Sequence, residues 1–359
     1  MTKQKVIVGM SGGVDSSVAA YLLQKAGYEV IGVTMQIWPE DAPREESGGC
    51  CGLTAVDDAR HVCQQLGIAH YTLNFRQEFD AYVIAYFVDE YRRGRTPNPC
   101  IACNRHVKWE SLLGKALQLG ADYIATGHYA RIVFNAQTGR YLLKKAATTK
   151  DQTYALYNLT QDQLAHTLMP LGDYTKEEVR RIAADIGLTV ADKPDSQEIC
   201  FIPDHDYGRY IEEHTGSPSE PGNFVDRQGR ILGRHKGIIH YTVGQRKGLG
   251  LATGIPLYVI AIRPETNEVV VGEDREVYQS TVYADQLNFI PFPELKTKIK
   301  VGAKIRYNHT PAPAVVEMVD ADTLRCSFLE PQRAITPGQA LVLYDDDLVV
   351  GGGIINRGA

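Results

Sequence analysis

Three short stretches hold residue types that can do chemistry: SGGVDSS at 11–17, NPCIACN at 98–104 and QEIC at 197–200. The first follows the apolar run KVIVG and precedes residues 18–26, which repeat apolar side chains at helical spacing. A glycine loop between a strand and a helix offers backbone N–H groups and the positive end of the helix to an anion. Gly12 and Gly13 permit the close approach that this needs, Ser11, Ser16 and Ser17 add hydroxyl donors, and Asp15 could orient a magnesium ion. Neither Gly-Lys-Ser/Thr nor GxGxxG is present, which excludes a kinase-type P-loop and a dinucleotide fingerprint. The plainer alternative is a glycine turn with a serine cap. Cys100-x-x-Cys103 fits half of a zinc site, a redox pair or a sulfur-moving centre, and Cys200 lies far from it in sequence.

The elements that must position these residues follow a βα rhythm. EVIGVTM and AHYTLNF read as strands, AVDDARHVCQQLG as a helix ending at Gly67, 78–92 and about 104–119 as further helices, and DYIATG as the next strand. This predicts an α/β N-terminal domain with a parallel sheet and helices on both faces. RIVFNAQTGRYLLKK predicts a hairpin at Thr138-Gly139, and Thr175 with Glu178 a capping box. After about residue 210, closely spaced strands such as PLYVIAI, EVVVGE, KIKVGAKIRY and ALVLYDDDLVVGGGII predict a small central β-rich domain followed by a C-terminal β-barrel. The expected domains are 1–210, 211–280 and 281–359.

Composition narrows the class. The 359 residues are 44% hydrophobic and 23% charged, as in soluble globular chains, and no apolar run reaches the roughly 18–20 residues of a membrane span. With no signal-peptide core, a cytoplasmic protein is expected. Seven cysteines, an odd number, point to thiols kept for chemistry rather than a disulfide framework. The net charge of −5 does not advertise nucleic-acid binding, yet Arg227–Lys247 holds six Lys or Arg and no acid. Such runs are usually solvated faces; the glycine spacing with His235, His240 and Tyr241 also suits an RNA backbone. Cys63 and Cys326 read as buried small hydrophobes, and Cys50 and Cys51 as loop thiols.

SGGVDS resembles the loop of the PP-loop ATP pyrophosphatases, adenine nucleotide alpha hydrolase-like proteins that split ATP between the α and β phosphates and adenylate a substrate oxygen. That resemblance implies ATP, with Mg2+, at Gly9, Met10, Ser11, Gly12, Gly13, Val14, Asp15, Ser16, Met35 and Gly127, although a lone methionine is more often core. Further along, GRTPNPCIACNRHVKW, ATGHYAR, KDQTYAL, KPDSQEICFI and PGQALVLYDDDLVVGGGII resemble the bacterial tRNA-uridine 2-sulfurtransferases, the tRNA-specific 2-thiouridylase (MnmA) family, over essentially the whole chain. The resemblance implies 2-thiolation of the wobble uridine of tRNA, by adenylation of the uracil C2 oxygen and sulfur transfer from a cysteine persulfide. Cys200 would carry the persulfide and Cys103 act as nucleophile, releasing sulfide or closing a Cys103–Cys200 disulfide, so that each turnover needs a thiol reductant. Asn98, Pro99 and Cys100 would border the target base, while His128, Lys150, Asp151, Gln152, Arg306, Tyr307 and Gln339 would touch tRNA. The implied sulfur donor is a cysteine desulfurase or a relay protein. Asp195, Ser196 and Gln197 would shape the Cys200 loop or simply form its turn.

Cys100 stands where many relatives carry Asp, so a second version of the site is a [4Fe–4S] cluster held by Cys100, Cys103 and Cys200. Two other functions compete. One is another PP-loop adenylating ligase, such as an argininosuccinate synthase, against which the paired distant cysteines count. The other is a zinc-bearing RNA-binding protein, which leaves SGGVDS unexplained and supplies three of four zinc ligands.

Overall fold

Short runs of β-branched residues build a five-stranded parallel sheet: β1 (Lys5–Gly9), β2 (Glu29–Gln36), β3 (Ala69–Asn74), β4 (Tyr123–Ala125) and β7 (Thr167–Leu168), in the order β3-β2-β1-β4-β7. The computed structural model describes residues 3–38, 53–194, 199–202, 204 and 206–358. Two units emerge: Met1–Val83 with Cys100–His205 and Asp347–Val349, and Ile84–Pro99 with Asp206–Asp346 and Val350–Ala359.

In the first unit, helices α1 (Val14–Lys25) and α2 (Leu53–Leu66) bury Val18, Ala19, Leu23, Ala59 and Val62 against Val6 and Val8 of β1. Because β1 lies between β2 and β4, the chain leaves it at the point where strand order reverses, the place where open α/β sheets bind ligands. The expected helices 78–92 and 104–119 are both interrupted by wider turns: Asp80–Ile84 and Cys103–Leu112 are π-helical, a geometry common at functional sites. β5 (Ala130–Asn135) and β6 (Arg140–Lys145) form the predicted hairpin, with Gly139 at φ +66°. The capping box at Lys176–Asp185 is present: Glu178 N–H donates to Thr175 Oγ1 at 3.1 Å, and Thr175 N–H to Glu178 Oε2 at 2.8 Å.

The second unit contains the sheet β10-β11-β8-β9, made of β8 (Gly222–Val225), β9 (Ile231–His235), β10 (Tyr258–Arg263) and β11 (Glu268–Gly272), around Phe224, Tyr241, Val259, Val269 and Val271. Next, β12 (Tyr278–Phe289), β13 (Ile299–Lys304), β14 (Ala312–Met318), β15 (Leu324–Arg333), β16 (Ala340–Asp345) and β17 (Leu348–Gly358) run in the order β12-β15-β14-β13-β16-β17. β12 also pairs with β17, from Val282↔Gly358 to Phe289↔Gly351, which closes the predicted β-barrel. The glycines of VVGGGII make this possible: a Cβ on Gly351 or Gly353 would collide with the carbonyl oxygen of Asn288 or Asp285.

One expectation fails here. His235 and Tyr241 are only 3% and 4% exposed, and the His240 side chain is nearly enclosed and lies 3.4 Å from Glu212. They are core residues, not an RNA-facing surface. Phe224, His235 and Tyr241 stack edge to face, with centroids 5.2–5.5 Å apart. A basic run gives the sign of its charges but not which of the interleaved rings turn inward.

Candidate active site

The glycine loop between β1 and α1 is held from four sides. Gly12 sits at φ +66°, and a Cβ there would overlap the backbone of Ala55 on α2. Ser16 Oγ and Ser17 Oγ donate to Gly13 O at 3.1 and 2.8 Å, and Ser11 N–H donates to Ser16 Oγ at 3.2 Å. On the β2 side, Met10 N–H donates to Val33 O and Thr34 Oγ1–H to Met10 O. On the β4 side, a Cβ on Gly127 would lie 2.7 Å from both Asp15 C and Ser16 N. Gly13 caps α1 with no side-chain partner, which leaves its N–H groups for an anion. Thus Gly9–Ser16, Met35 near the end of β2 and Gly127 just past β4 line one end of neighbouring strands. Met35 is itself 7% exposed.

Asp15 is not poised as a bare cation ligand. Its Oδ1 accepts from Tyr129 O–H at 2.7 Å and from Lys176 Nζ at 2.8 Å, while Lys150 Nζ lies 3.9 Å from Oδ2. Asp15 is thus the counter-ion of two lysines, and it offsets the cost of burying Lys176, whose side chain is 13% exposed. Lys150 also lies 4.9 Å over the Tyr129 ring. Sequence reading missed Lys176, Tyr129 and Lys193. The last donates to Gly12 O at 3.1 Å and to Asp58 Oδ2 at 2.6 Å. KEEV after the Thr175 cap offered only a helix start, and nothing local ties residues 129, 176 or 193 to residues 12–15.

The thiols separate by environment. Cys63 and Cys326 are fully buried, and burial pushes their thiols up to about 11 and about 12. Cys100 is exposed, whereas Cys103 and Cys200 are half-buried. Cys103 opens the π-helical segment, which is pinned by Asn104 Nδ2 to Ala155 O (2.9 Å), Lys108 Nζ to Asn104 Oδ1 (2.9 Å) and Trp109 Nε1 to Thr167 Oγ1 (2.8 Å). Cys200 lies in a turn closed by Ile202 N–H to Ile199 O. The next residue, Phe201, is buried edge-on against Phe79 at 5.6 Å. Among the described residues, no group of three or more His, Cys, Asp or Glu comes together to hold a metal ion. The three-cysteine cluster site and the zinc reading therefore have no assembled ligand set. Cys50, Cys51, Asp195, Ser196 and Gln197 lie outside the described residues.

The residues expected on tRNA are spread over both units. His128 accompanies Thr126 (Nδ1 to Oγ1, 2.7 Å) and Trp109 (5.7 Å between rings); burial, then Lys108, holds its pKa well below the ordinary histidine value, so the ring is neutral. Gln152 exchanges two hydrogen bonds with the Tyr129 backbone, both 3.0 Å, and Asp151 accepts from Thr153 N–H and Oγ1–H. In the second unit, Arg306 donates to Val243 O and Thr336 Oγ1, and Gln339 Nε2 to Thr96 O and Pro97 O. Tyr307 is 42% exposed. Asn98 and Pro99 belong to the second unit, Cys100 to the first. Among the described residues no helix is long and apolar enough to cross a membrane.

A parallel sheet with an anion-ready loop at its switch point defines a nucleotide-binding α/β domain. Family models agree on this architecture: residues 4–204 match a tRNA methyl transferase HUP domain, 208–273 a tRNA methyl transferase PRC-barrel domain, and 279–355 an aminomethyltransferase beta-barrel domain. Full-length relatives are more specific. A protein of Lachnoclostridium phytofermentans named tRNA-specific 2-thiouridylase MnmA is 63% identical over 98% of this chain and 99% of its own length. Proteins of the same name from Acetivibrio thermocellus and Clostridioides difficile are 60% and 56% identical, each over 99% of this chain and over 100% and 98% of their own lengths. The chain belongs to the tRNA-specific 2-thiouridylase MnmA family. A solved 4-thiouridine synthetase–RNA complex with bound ATP is similar at a TM-score of 0.35 and 17% identity, over 59% of this chain and 50% of that one, too slight a likeness to argue from.

Proposed function

We propose that this chain is an ATP-dependent tRNA 2-thiouridylase acting on the wobble uridine. The observation that carries the reading is the presence, in one unit, of an anion-ready loop and two solvent-reachable thiols from distant segments, Cys103 and Cys200, in a chain 56–63% identical to three relatives of that name. Uracil C2–O is a poor electrophile. The C2 oxygen attacks the α-phosphorus of ATP held at Gly9–Ser16, Met35 and Gly127, and pyrophosphate leaves. Lys176 and Lys150, oriented by Asp15, neutralise the departing charge. A bound magnesium ion would add charge neutralisation through the phosphates.

The persulfide on Cys200 then delivers sulfur. Its terminal sulfur attacks C2 and AMP leaves; the Cys103 thiolate attacks Cys200 Sγ, forming the Cys103–Cys200 disulfide, and the electron pair of the broken S–S bond stays on the sulfur now bound to C2. Alternatively Cys103 attacks first and frees hydrosulfide, which attacks C2. Both routes end in the same disulfide, so an external thiol must return two electrons, and a cysteine desulfurase or relay protein must restore the persulfide. Residues 1–210 form the catalytic part, with tRNA contacts contributed from 211–280 and 281–359. Asn98, Pro99 and Cys100 border the base. His128, Lys150, Asp151, Gln152, Arg306, Tyr307 and Gln339 form the tRNA surface, where Tyr307 offers an exposed ring and Arg306 and Gln339 also brace their own loops.

Incubation of the protein with ATP, unmodified tRNA and a persulfide source, followed by nucleoside mass spectrometry, tests the reading. Formation of 2-thiouridine with AMP and pyrophosphate, lost in Cys103→Ala and Cys200→Ala, is the expected result. ADP as product refutes adenylation, and full activity in Cys200→Ala refutes the persulfide assignment.

A further inference from the structure

Asp15 occupies the second position of α1, beside the N–H groups that the proposed function gives to the phosphates of ATP. A carboxylate in the first turn of a helix is drawn to those N–H groups by their charge and can bond back to them. In that place it would occupy the donors and repel an incoming anion. The structure shows the opposite arrangement: no side chain caps Gly13, and the Asp15 carboxylate is held on other donors.

Two of those donors share one oxygen. Tyr129 O–H lies 2.7 Å from Asp15 Oδ1, and Lys176 Nζ lies 2.8 Å from the same atom. They differ in stiffness. An ammonium on a flexible four-carbon stem can follow a carboxylate that swings. The phenol cannot, because Tyr129 is 0% exposed and belongs to the core cluster of Val18 and Leu171. Its main chain is clamped by Gln152: Tyr129 N–H donates to Gln152 Oε1 and Gln152 N–H to Tyr129 O, both at 3.0 Å. Lys150 Nζ stands 4.9 Å over the ring. The hydroxyl is therefore a fixed donor, and it sets where the carboxylate lies.

We infer that Tyr129 is a positioning residue that keeps the phosphate site open: its hydroxyl holds the Asp15 carboxylate beside Lys176 and away from the N–H groups at the start of α1. The inference rests on the placement of ATP phosphates at the glycine loop proposed above. Its signature depends on the charge of the ligand. Tyr129→Phe removes one oxygen and leaves the ring, the Gln152 clamp and both lysines in place. Asp15 can then cap its own helix, and affinity for ATP and for inorganic pyrophosphate should fall roughly tenfold, the loss expected for one hydrogen bond to a charged group. Adenosine, which carries no phosphate, should bind as it does to the wild type, whereas a general loosening of the site would weaken it as well.

The experiment titrates the full-length chain with ATP, inorganic pyrophosphate and adenosine by calorimetry, for wild type, Tyr129→Phe, Asp15→Ala and the double variant. Alanine cannot cap the helix, so Tyr129→Phe should have no further effect on pyrophosphate affinity once Asp15 is replaced. Equal loss for pyrophosphate and adenosine in Tyr129→Phe reduces the phenol to packing and overturns the inference, as does unchanged affinity for pyrophosphate. A tenfold loss that persists in the Asp15→Ala background overturns it too, since Tyr129 would then act without Asp15. A wild type that binds neither ATP nor pyrophosphate fails the proposed function instead, which keeps the two readings apart.

Discussion

A single methyl group at Gly127 should disable nucleotide chemistry while leaving the chain folded. Gly127 is not in the left-handed region, so alanine is acceptable to the backbone and the effect is steric. The added Cβ would stand 2.7 Å from Asp15 C and Ser16 N and 2.9 Å from Asp15 Cβ. Ordinary carbon contacts are about 3.5–4.0 Å, so β4 and the start of α1 must part by about 1 Å. Overpacking of this kind costs roughly 1–3 kcal/mol of stability. A displacement of about 1 Å at a reacting centre costs on the order of 10²-fold in rate. Gly127→Ala should therefore keep a cooperative thermal transition at a lowered Tm, while kcat/KM for ATP, followed as tRNA-dependent pyrophosphate release, falls about 100-fold. Wild-type pyrophosphate release by a folded Gly127→Ala would show that this end of β4 does not face the nucleotide.

Asp15→Ala removes the counter-ion of Lys176 and Lys150, and pyrophosphate release should drop at least about 100-fold with tRNA binding retained, as gel-shift titration would show. Among the described residues, Arg234 and Lys236 of the basic run have no carboxylate partner, whereas Arg227 pairs with Glu276 and Arg230 with Asp226; replacing both with Ala should weaken tRNA binding and reduce the slope of log K against log salt by up to about 1.8. His235 accepts from Gly237 N–H at 3.1 Å and lies 3.2 Å from Asn267 O, and burial holds its pKa below the usual value. The unfolded chain therefore binds the extra proton, and stability is lost as pH falls below about 6.5; urea midpoints should show a shallower loss between about pH 6.5 and 5 in His235→Gln. Iodoacetamide at pH 8 should modify Cys103 and Cys200 well before Cys63 and Cys326, whose buried thiols sit near 11 and 12; peptide mass spectrometry reads this, and urea should erase the difference.

What could be read from the sequence was local. The strand–loop–helix at residues 5–25, the Thr175–Glu178 box and the Thr138-Gly139 hairpin depend on residues within a few positions of each other, and each has the expected form. The buried Cys63 and Cys326 were legible because their surroundings are periodic and apolar. The partners of Asp15 were not: Tyr129 and Lys176 are 114 and 161 residues away, and Lys193 is 181 residues from Gly12. Such pairings are set by sheet order, which local periodicity does not encode. His235 misled for a related reason. Charged neighbours suggested a wet surface, while the alternation of a half-buried strand turned its ring into the Phe224–Tyr241 core. The π-helical segments also left no local mark, since one extra residue per turn shifts side chains without changing composition.

The closure of the barrel by β12 against β17 fixes the order in which this part of the chain can mature. Val282 has no partner at Gly358 until the 75 intervening residues exist, whereas β13–β14 and β14–β15 can pair as soon as their short connections emerge. During synthesis the chain must hold β12 with one side unpaired while the hairpins form beside it, and the ring seals only when 351–358 leave the ribosome. Open strand edges invite pairing with other chains, so chaperone need and aggregation should concentrate in that interval, and a nascent chain halted before residue 351 should be far more prone to both than one released after residue 358.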